Sequence, residues 1–312
     1  MSHPQTPAVT PTSPVPYLVM LATALCFSTN IIFGRYVAPE THPFVLAFMR
    51  WAVVALILAP FALRKPSAAA RLVRENWPLF IVLGVLGMGV SGGGVYLGLQ
   101  MTTATNATLI YSVAPVLIIL LERLFKGRDI AWREVIGMVV AFIGVATIVL
   151  KGDIATMFAV RFNPGDLLIA AATLSWALYS ILFRSPRLAG SNAMTVFCVI
   201  AAFGALANLP FAIPALTAGE GVPQSAAGWR AVAGIVIISS LIAFSGYQFG
   251  VRQLGASIAG LFMFLMTPFG VLLAVTFLGE TLARYQVIAV IAVMVGVATA
   301  TFPKSLLRAR AS

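Results

Sequence analysis

Nine side chains with aromatic or hydrogen-bonding tips, and one cation, fall inside long apolar runs of this sequence, where polar chemistry is costly and has to be used. Phe27 and Asn30 are three residues apart, as are Trp176 and Tyr179, so on a helix each pair presents a ring and a polar tip to one face. Tyr96 and Gln100 are one helical turn apart, Tyr111 stands alone, and Tyr247 adjoins Gln248. Amides and phenols recognise neutral or zwitterionic groups without burying a charge, and aromatic faces suit apolar rings. Ordinary interhelical packing with one satisfied hydrogen bond is the alternative at each position. Arg50 lies about seven residues into its run, roughly 10 Å below the surface at 1.5 Å per residue. It either pairs a carboxylate of a bound molecule or bonds helix-end carbonyls and snorkels outward.

Reaction chemistry is not suggested. A membrane enzyme needs a nucleophile with its base, paired carboxylates or a metal cluster, and none falls within the apolar runs. All nine acids (Glu40, Glu75, Glu122, Asp129, Glu134, Asp153, Asp166, Glu220 and Glu280) lie in loops or at the ends of runs, and His3 and His42 lie in a tail and a short loop. No catalytic residue, no metal and no cofactor are therefore expected, and a midplane proton relay has no carriers. Cys26 and Cys198 sit in separate apolar runs and read as packing residues.

These residues need a scaffold, and the composition defines it. The 312 residues are 60% hydrophobic and 9% charged, with mean hydropathy +0.99. Soluble domains carry about 25% charge, so the surplus apolar surface must face lipid. Runs of about 20 residues fit helices crossing a bilayer and not barrel strands. The net charge of +11 suggests a membrane surface as partner and not nucleic acid, because the basic residues collect in short loops between runs.

Ten spans are expected: 17–37, 43–63, 77–101, 104–121, 132–150, 166–183, 193–216, 229–251, 256–278 and 285–302. Residues 1–16 read as a disordered tail and 303–312 as a basic one. Loops on one side hold Arg64, Lys65, Arg71, Arg74, Arg123, Lys126, Arg128, Arg133, Arg184, Arg187 and Arg252, joined by Lys304, Arg308 and Arg310. The other side keeps Arg35, Lys151, Arg161, Arg230 and Arg284. This bias predicts an inner-membrane, multi-pass protein with both termini cytoplasmic.

The chain repeats itself. A displacement of 152 lays Gly127 on Gly279, Ala131 on Ala283, and Gly144 through Thr147 on Gly296 through Thr299. One residue of slippage pairs Gln100 with Gln253 and Pro115 with Pro268, and a displacement near 149 pairs Phe27 with Trp176 and Asn30 with Tyr179. Two halves, 17–151 and 166–302, joined by a linker at 152–165, each hold an odd number of spans, so the second must enter the membrane upside down. Inverted repeats are the architecture of secondary transporters, in which like halves exchange conformations about a midplane site. The glycine-rich third span and the matched Pro115 and Pro268 are candidate packing seams or pivots.

The stretch from Thr267-Pro-Phe-Gly to Gly279-Glu280, followed by Gln286 and Val295-Gly296-Val297, resembles the EamA-like branch of the drug/metabolite transporter superfamily. Ala114-Pro115 through Gly127 and Ile143-Gly144-Val145 carry the same pattern more loosely, with Arg128 in place of the acid. The resemblance implies an all-α fold of ten transmembrane helices in two inverted five-helix units. It also implies export of small metabolites, most similarly the aromatic amino-acid exporters of bacteria. On this reading the cargo is a small molecule handled by alternating access, facilitated or by exchange, around a cavity of spans one, three, four, six, eight and nine. A monomer is the simplest unit, and a membrane-embedded enzyme acting on a lipid is the alternative.

Overall fold

A computed structural model describes residues 13–153, 155, 163–219, 221–279 and 281–301, without the side chains of Ile31, Arg35 and Leu278. Most of the N-terminal tail, most of the linker, Arg161, Glu220, Glu280, and the C-terminal tail with its basic residues fall outside that range. Among the described residues ten helices are long and apolar enough to span a bilayer. They are α1 (Val15–Val37), α2 (Pro43–Leu63), α3 (Pro66–Met101), α4 (Ala104–Lys126), α5 (Trp132–Val149), α6 (Pro164–Leu182), α7 (Ala193–Thr217), α8 (Ala226–Leu254), α9 (Ala256–Phe277) and α10 (Arg284–Thr301).

Proline decides several of these starts. α1 begins at Val15, two residues before the expected Tyr17, because Pro16 sits in the first turn, where a missing N–H costs nothing. α2 opens on Pro43 and α6 on Pro164 for the same reason. α3 begins eleven residues before the expected Trp77: 66–75 is helical and joins the span at a kink where Asn76 takes φ −128°, ψ 17°. Arg71 and Arg74 are therefore on helix and not in a loop. α6 is capped reciprocally, Asn163 Oδ1 accepting from the Asp166 N–H at 3.2 Å and Asp166 Oδ2 from the Asn163 N–H at 2.9 Å.

The halves share irregularities. α3 has a π-helical stretch at Val85–Gly94 and α8 at Ile235–Ile242. α4 breaks after Tyr111 and resumes at Ala114, and α9 passes through a 3-10 turn at Met263–Leu265 and resumes at Met266. Pro115 and Pro268 each lie in the first turn of the resumed helix, so both matched prolines mark a break. α4 ends on Gly127 at φ 62° and α9 on Gly279 at φ 68°, left-handed caps that glycine adopts without steric cost.

Packing follows the same two-fold. α2 lies along α7 and α5 along α10, and α1 contacts α8 as α6 contacts α3. At the α5–α10 crossing a Cβ on Gly137 would collide with the Gly296 carbonyl oxygen, so the two backbones touch. Leu56, Leu124, Leu206, Phe211, Ile288 and Ile291 project from the bundle as an apolar belt suited to lipid. The fold is an all-helical membrane protein of two inverted five-helix repeats.

Candidate functional site

Between the repeats lies a cavity of about 530 Å³, within the range of roughly 300–1,000 Å³ usual for small-molecule sites. Its walls come from Phe27 and Asn30 of α1, Tyr96 and Leu99 of α3, Tyr111 of α4, Val149 of α5, Trp176 of α6 and Ala274 of α9, among others. Each lies in the middle of its helix or in the half nearer one membrane face, the face opposite the basic loops. The cavity thus runs from the centre of the protein toward that distal face. α2, α5 and α10 contribute Arg50 and Trp51, Val145, Ile148 and Val149, and Gln286, so the wall is wider than the six spans expected from sequence.

The floor is aromatic. Phe27 and Trp176, matched by the internal repeat, meet edge to face with centroids 6.2 Å apart, and Phe244 lies 5.2 Å from Phe27, 5.5 Å from Trp176 and 4.7 Å from Trp51. The π-helical stretch of α8 adds the polar groups. Its wider turn lets Ser240 Oγ donate to the Ile235 carbonyl five residues back, at 2.8 Å. Ser239 bonds Thr29 of α1 at 3.0 Å, and Ser240 accepts from Arg50 Nε at 2.9 Å. Arg50 Nη1 donates to the Tyr96 hydroxyl at 2.8 Å, and the guanidinium lies over the Trp51 ring at 4.8 Å. Among the described residues the bonds of Arg50 go to these two hydroxyls and not to a helix-end carbonyl.

Six of the ten residues singled out in the sequence line this cavity: Phe27, Asn30, Arg50, Tyr96, Tyr111 and Trp176. Four do not. Gln100 is exposed at the distal rim, in a small surface recess with Glu40 and His42. Tyr179, Tyr247 and Gln248 are buried in a layer that closes the opposite end, where Gln248 Nε2 donates to the Tyr179 hydroxyl at 3.0 Å and Ser180 bonds the Tyr247 hydroxyl at 2.7 Å. Inversion explains the split, because it places matched residues on opposite sides of the midplane. Asn30 and Tyr96 come to the open end, while Tyr179, the match of Asn30, and Gln248, on the matching turn of α8, come to the closed one.

The closed end is finished by a charge cluster. α4 was expected to stop at Leu121, leaving Glu122 at the membrane surface. Instead it runs to Lys126, and Glu122 is only 2% exposed. Its Oε2 accepts from Ser257 of α9 at 2.5 Å, and Lys126, Arg128 and Arg184 stand 3.7–3.9 Å from its carboxylate. One side chain therefore joins the end of α4 to the start of α9 and the end of α6. At the distal face Glu40 ties the α1–α2 loop to the α7–α8 loop, its carboxylate accepting from the Ser225 hydroxyl at 2.6 Å and from the Gln224 and Ser225 N–H groups at 3.0 Å each. Those bonds hold the Glu40 carboxyl below its ordinary value.

Trp51, Ser239, Ser240 and Phe244 were missed in the sequence. Phe244 lies one turn before Tyr247 and Gln248 and carried a usable signal. Ser239 lines the cavity and the buried Ser240 holds Arg50, an arrangement set by the π turn, which leaves no mark in the hydropathy pattern.

A profile of the EamA-like transporter family matches residues 15–150 and again 163–302. The uncharacterized transporter YyaM of Bacillus subtilis is 25% identical over 91% of this chain and 93% of its own length. A probable terminal-alkyne amino-acid exporter of Streptantibioticus cattleyicolor is 27% identical over 73% of each chain. A solved crystal structure at 20% identity superposes with a TM-score of 0.76, covering 96% of this chain and all of the other, which shows the shared fold. Two copies of the family pattern on two inverted five-helix halves leave one conclusion: the chain belongs to the EamA-like transporter family and is a multi-pass membrane transporter of that type.

Proposed function

We propose that the protein exports small amphipathic metabolites, above all amino acids with aromatic or hydrophobic side chains, by alternating access. The observation that carries this reading is a cavity between two inverted repeats that is open at one end and sealed at the other by the symmetry partners of its own walls. Exchange of conformation between the halves would open the sealed end and close the open one. Opening the basic side requires α4 to part from α6 and α9 at Glu122, and closing the distal side requires α3, α4 and α6 to converge over Tyr96 and Leu99. Basic loops mark the cytoplasmic face, so the cavity faces outward and both termini lie inside. The aromatic floor favours apolar side chains, and the exporter of Streptantibioticus cattleyicolor supports amino acids as the cargo class. The described residues that line the cavity include no Asp or Glu, which supports transport down the cargo gradient or by exchange.

Counterflow in vesicles reconstituted with the full chain tests the reading. Labelled phenylalanine or leucine enters faster than into empty vesicles when the same amino acid is loaded inside. The proposal fails if no amino acid or amphipathic amine moves faster than through lipid alone. Its uncoupled form fails if flux collapses when a pH gradient is removed while the cargo gradient persists.

A further inference from the structure

The cavity is apolar except at a few points, and at three of them the polar group is left without what it needs. Arg50 is 6% exposed, and its partners, Ser240 and Tyr96, are neutral. Among the described residues no Asp or Glu pairs with it; the ion pairs there gather at Glu122 and Glu134. A guanidinium held in apolar surroundings by neutral hydroxyls has no countercharge beside it and most of its five donors unspent. Next to it, Trp51 is 1% exposed and its indole N–H has no acceptor, although buried indoles normally find one. That N–H looks toward Gly92 of the cavity wall, where a Cβ would stand 3.4 Å from it. On α1 the Oδ1 of Asn30 is buried and receives no hydrogen bond.

The three are held by one short element. Thr29, beside Asn30, bonds Ser239, and the next residue, Ser240, holds Arg50. Two unspent donor groups and one unspent acceptor therefore flank the π turn of α8, above the ring cluster of Phe27, Trp176 and Phe244. A planar guanidinium and a convergent N–H match the two oxygens of a carboxylate, and an amide oxygen matches an ammonium.

We infer that Arg50 and Trp51 determine specificity by binding the carboxylate of the cargo, with Asn30 receiving its ammonium. This rests on the transport reading above and adds an orientation: the head group lies against α2 and α8 and the side chain against the aromatic floor. An inorganic anion would also answer Arg50, but it would leave Asn30 unused.

Three probes separate the groups: L-phenylalanine, 3-phenylpropionate, which lacks the ammonium, and 2-phenylethylamine, which lacks the carboxylate. Binding is read as the ligand-dependent thermal shift of the purified full chain in detergent, with sodium chloride as the anion control. Phenylalanine and phenylpropionate are expected to saturate, and phenylethylamine to bind at least about tenfold more weakly. Trp51→Phe, which removes only the N–H, weakens both carboxylate probes about tenfold and leaves phenylethylamine unchanged, and Arg50→Lys, which keeps the charge but loses the fork, weakens them at least as much. Asn30→Leu weakens phenylalanine and not phenylpropionate. Equal binding of phenylethylamine and phenylalanine, no saturation by either carboxylate probe, protection by chloride alone, or indifference to Trp51→Phe each overturns the assignment. If vesicles show phenylalanine flux that neither variant alters, transport stands and this inference falls. If binding discriminates as expected but no cargo crosses, the reverse holds.

Discussion

Glu122→Gln is the substitution that tests the proposed alternating access most directly. The carboxylate is buried beneath the sealed end, and Ser257 of α9 donates to it at 2.5 Å. Lys126, Arg128 and Arg184 stand at 3.7–3.9 Å, outside hydrogen-bond reach, with side chains 27–41% exposed. Water screens partly exposed pairs of that kind to about 1 kcal/mol or less each. The charged acceptor bond is worth about 1.5–3 kcal/mol and a neutral amide replacement about 0.5–1.5. The difference, with some loss from the cations, is about 1–3 kcal/mol, or about a 5- to 150-fold shift toward the state open on the basic face. Spin labels at Arg123→Cys and Arg187→Cys, with Cys26 and Cys198 replaced by serine, would read the separation of the α4 end from the α6–α7 loop. Glu122→Gln should move weight to a longer distance without cargo present. An unchanged distance distribution in a variant that still folds would refute the argument that Glu122 holds the closed end.

Three further outcomes follow from particular contacts. Glu40 is held below its ordinary carboxylate value of 4.5 by bonds from Ser225 and Gln224, so its tie is fully present above that pH and is lost as pH falls through the depressed value. Thermal midpoints of wild type and Glu40→Gln should therefore differ near pH 7 and converge in acid; a constant gap would count against the tie. Asn208 Nδ2 donates to the Met88 carbonyl at 3.1 Å and the Gly204 carbonyl at 2.7 Å, pinning α7 to the π stretch of α3. Asn208→Leu should cost about 1–3 kcal/mol in denaturant titration, and a loss under about 0.5 would show the bond to be dispensable. Gly137→Ala forces backbone apart at the α5–α10 crossing and should cost about 1–3 kcal/mol or more, whereas Gly34→Ala, with nothing within 4 Å of its new Cβ, should be tolerated. Equal stability of the two variants would rule out the close crossing.

Much of the architecture was legible in the chain because lipid imposes it: a span must be apolar and about 20 residues long, and charge must stay outside. The repeat was legible because Gly127 and Gly279 do the same local job, ending a helix in a left-handed turn, and so do Pro115 and Pro268 at the two breaks. Chemistry at the level of residue type was legible too, since Arg50, Asn30, Phe27 and Trp176 were conspicuous against apolar neighbours. What the sequence could not say is on which side of the closed layer each residue lies. Tyr179 and Asn30 are partners in the repeat, yet one is packed against Gln248 and the other faces the cavity. Both halves carry the same order of five apolar spans, so hydropathy alone does not say which end is open; the packing of one half against the other decides it. The burial of Glu122 is a tertiary outcome of the same kind. Its place near a span end was written in the sequence, but Ser257 is 135 positions away, and only the meeting of α4 with α9 makes the two a latch.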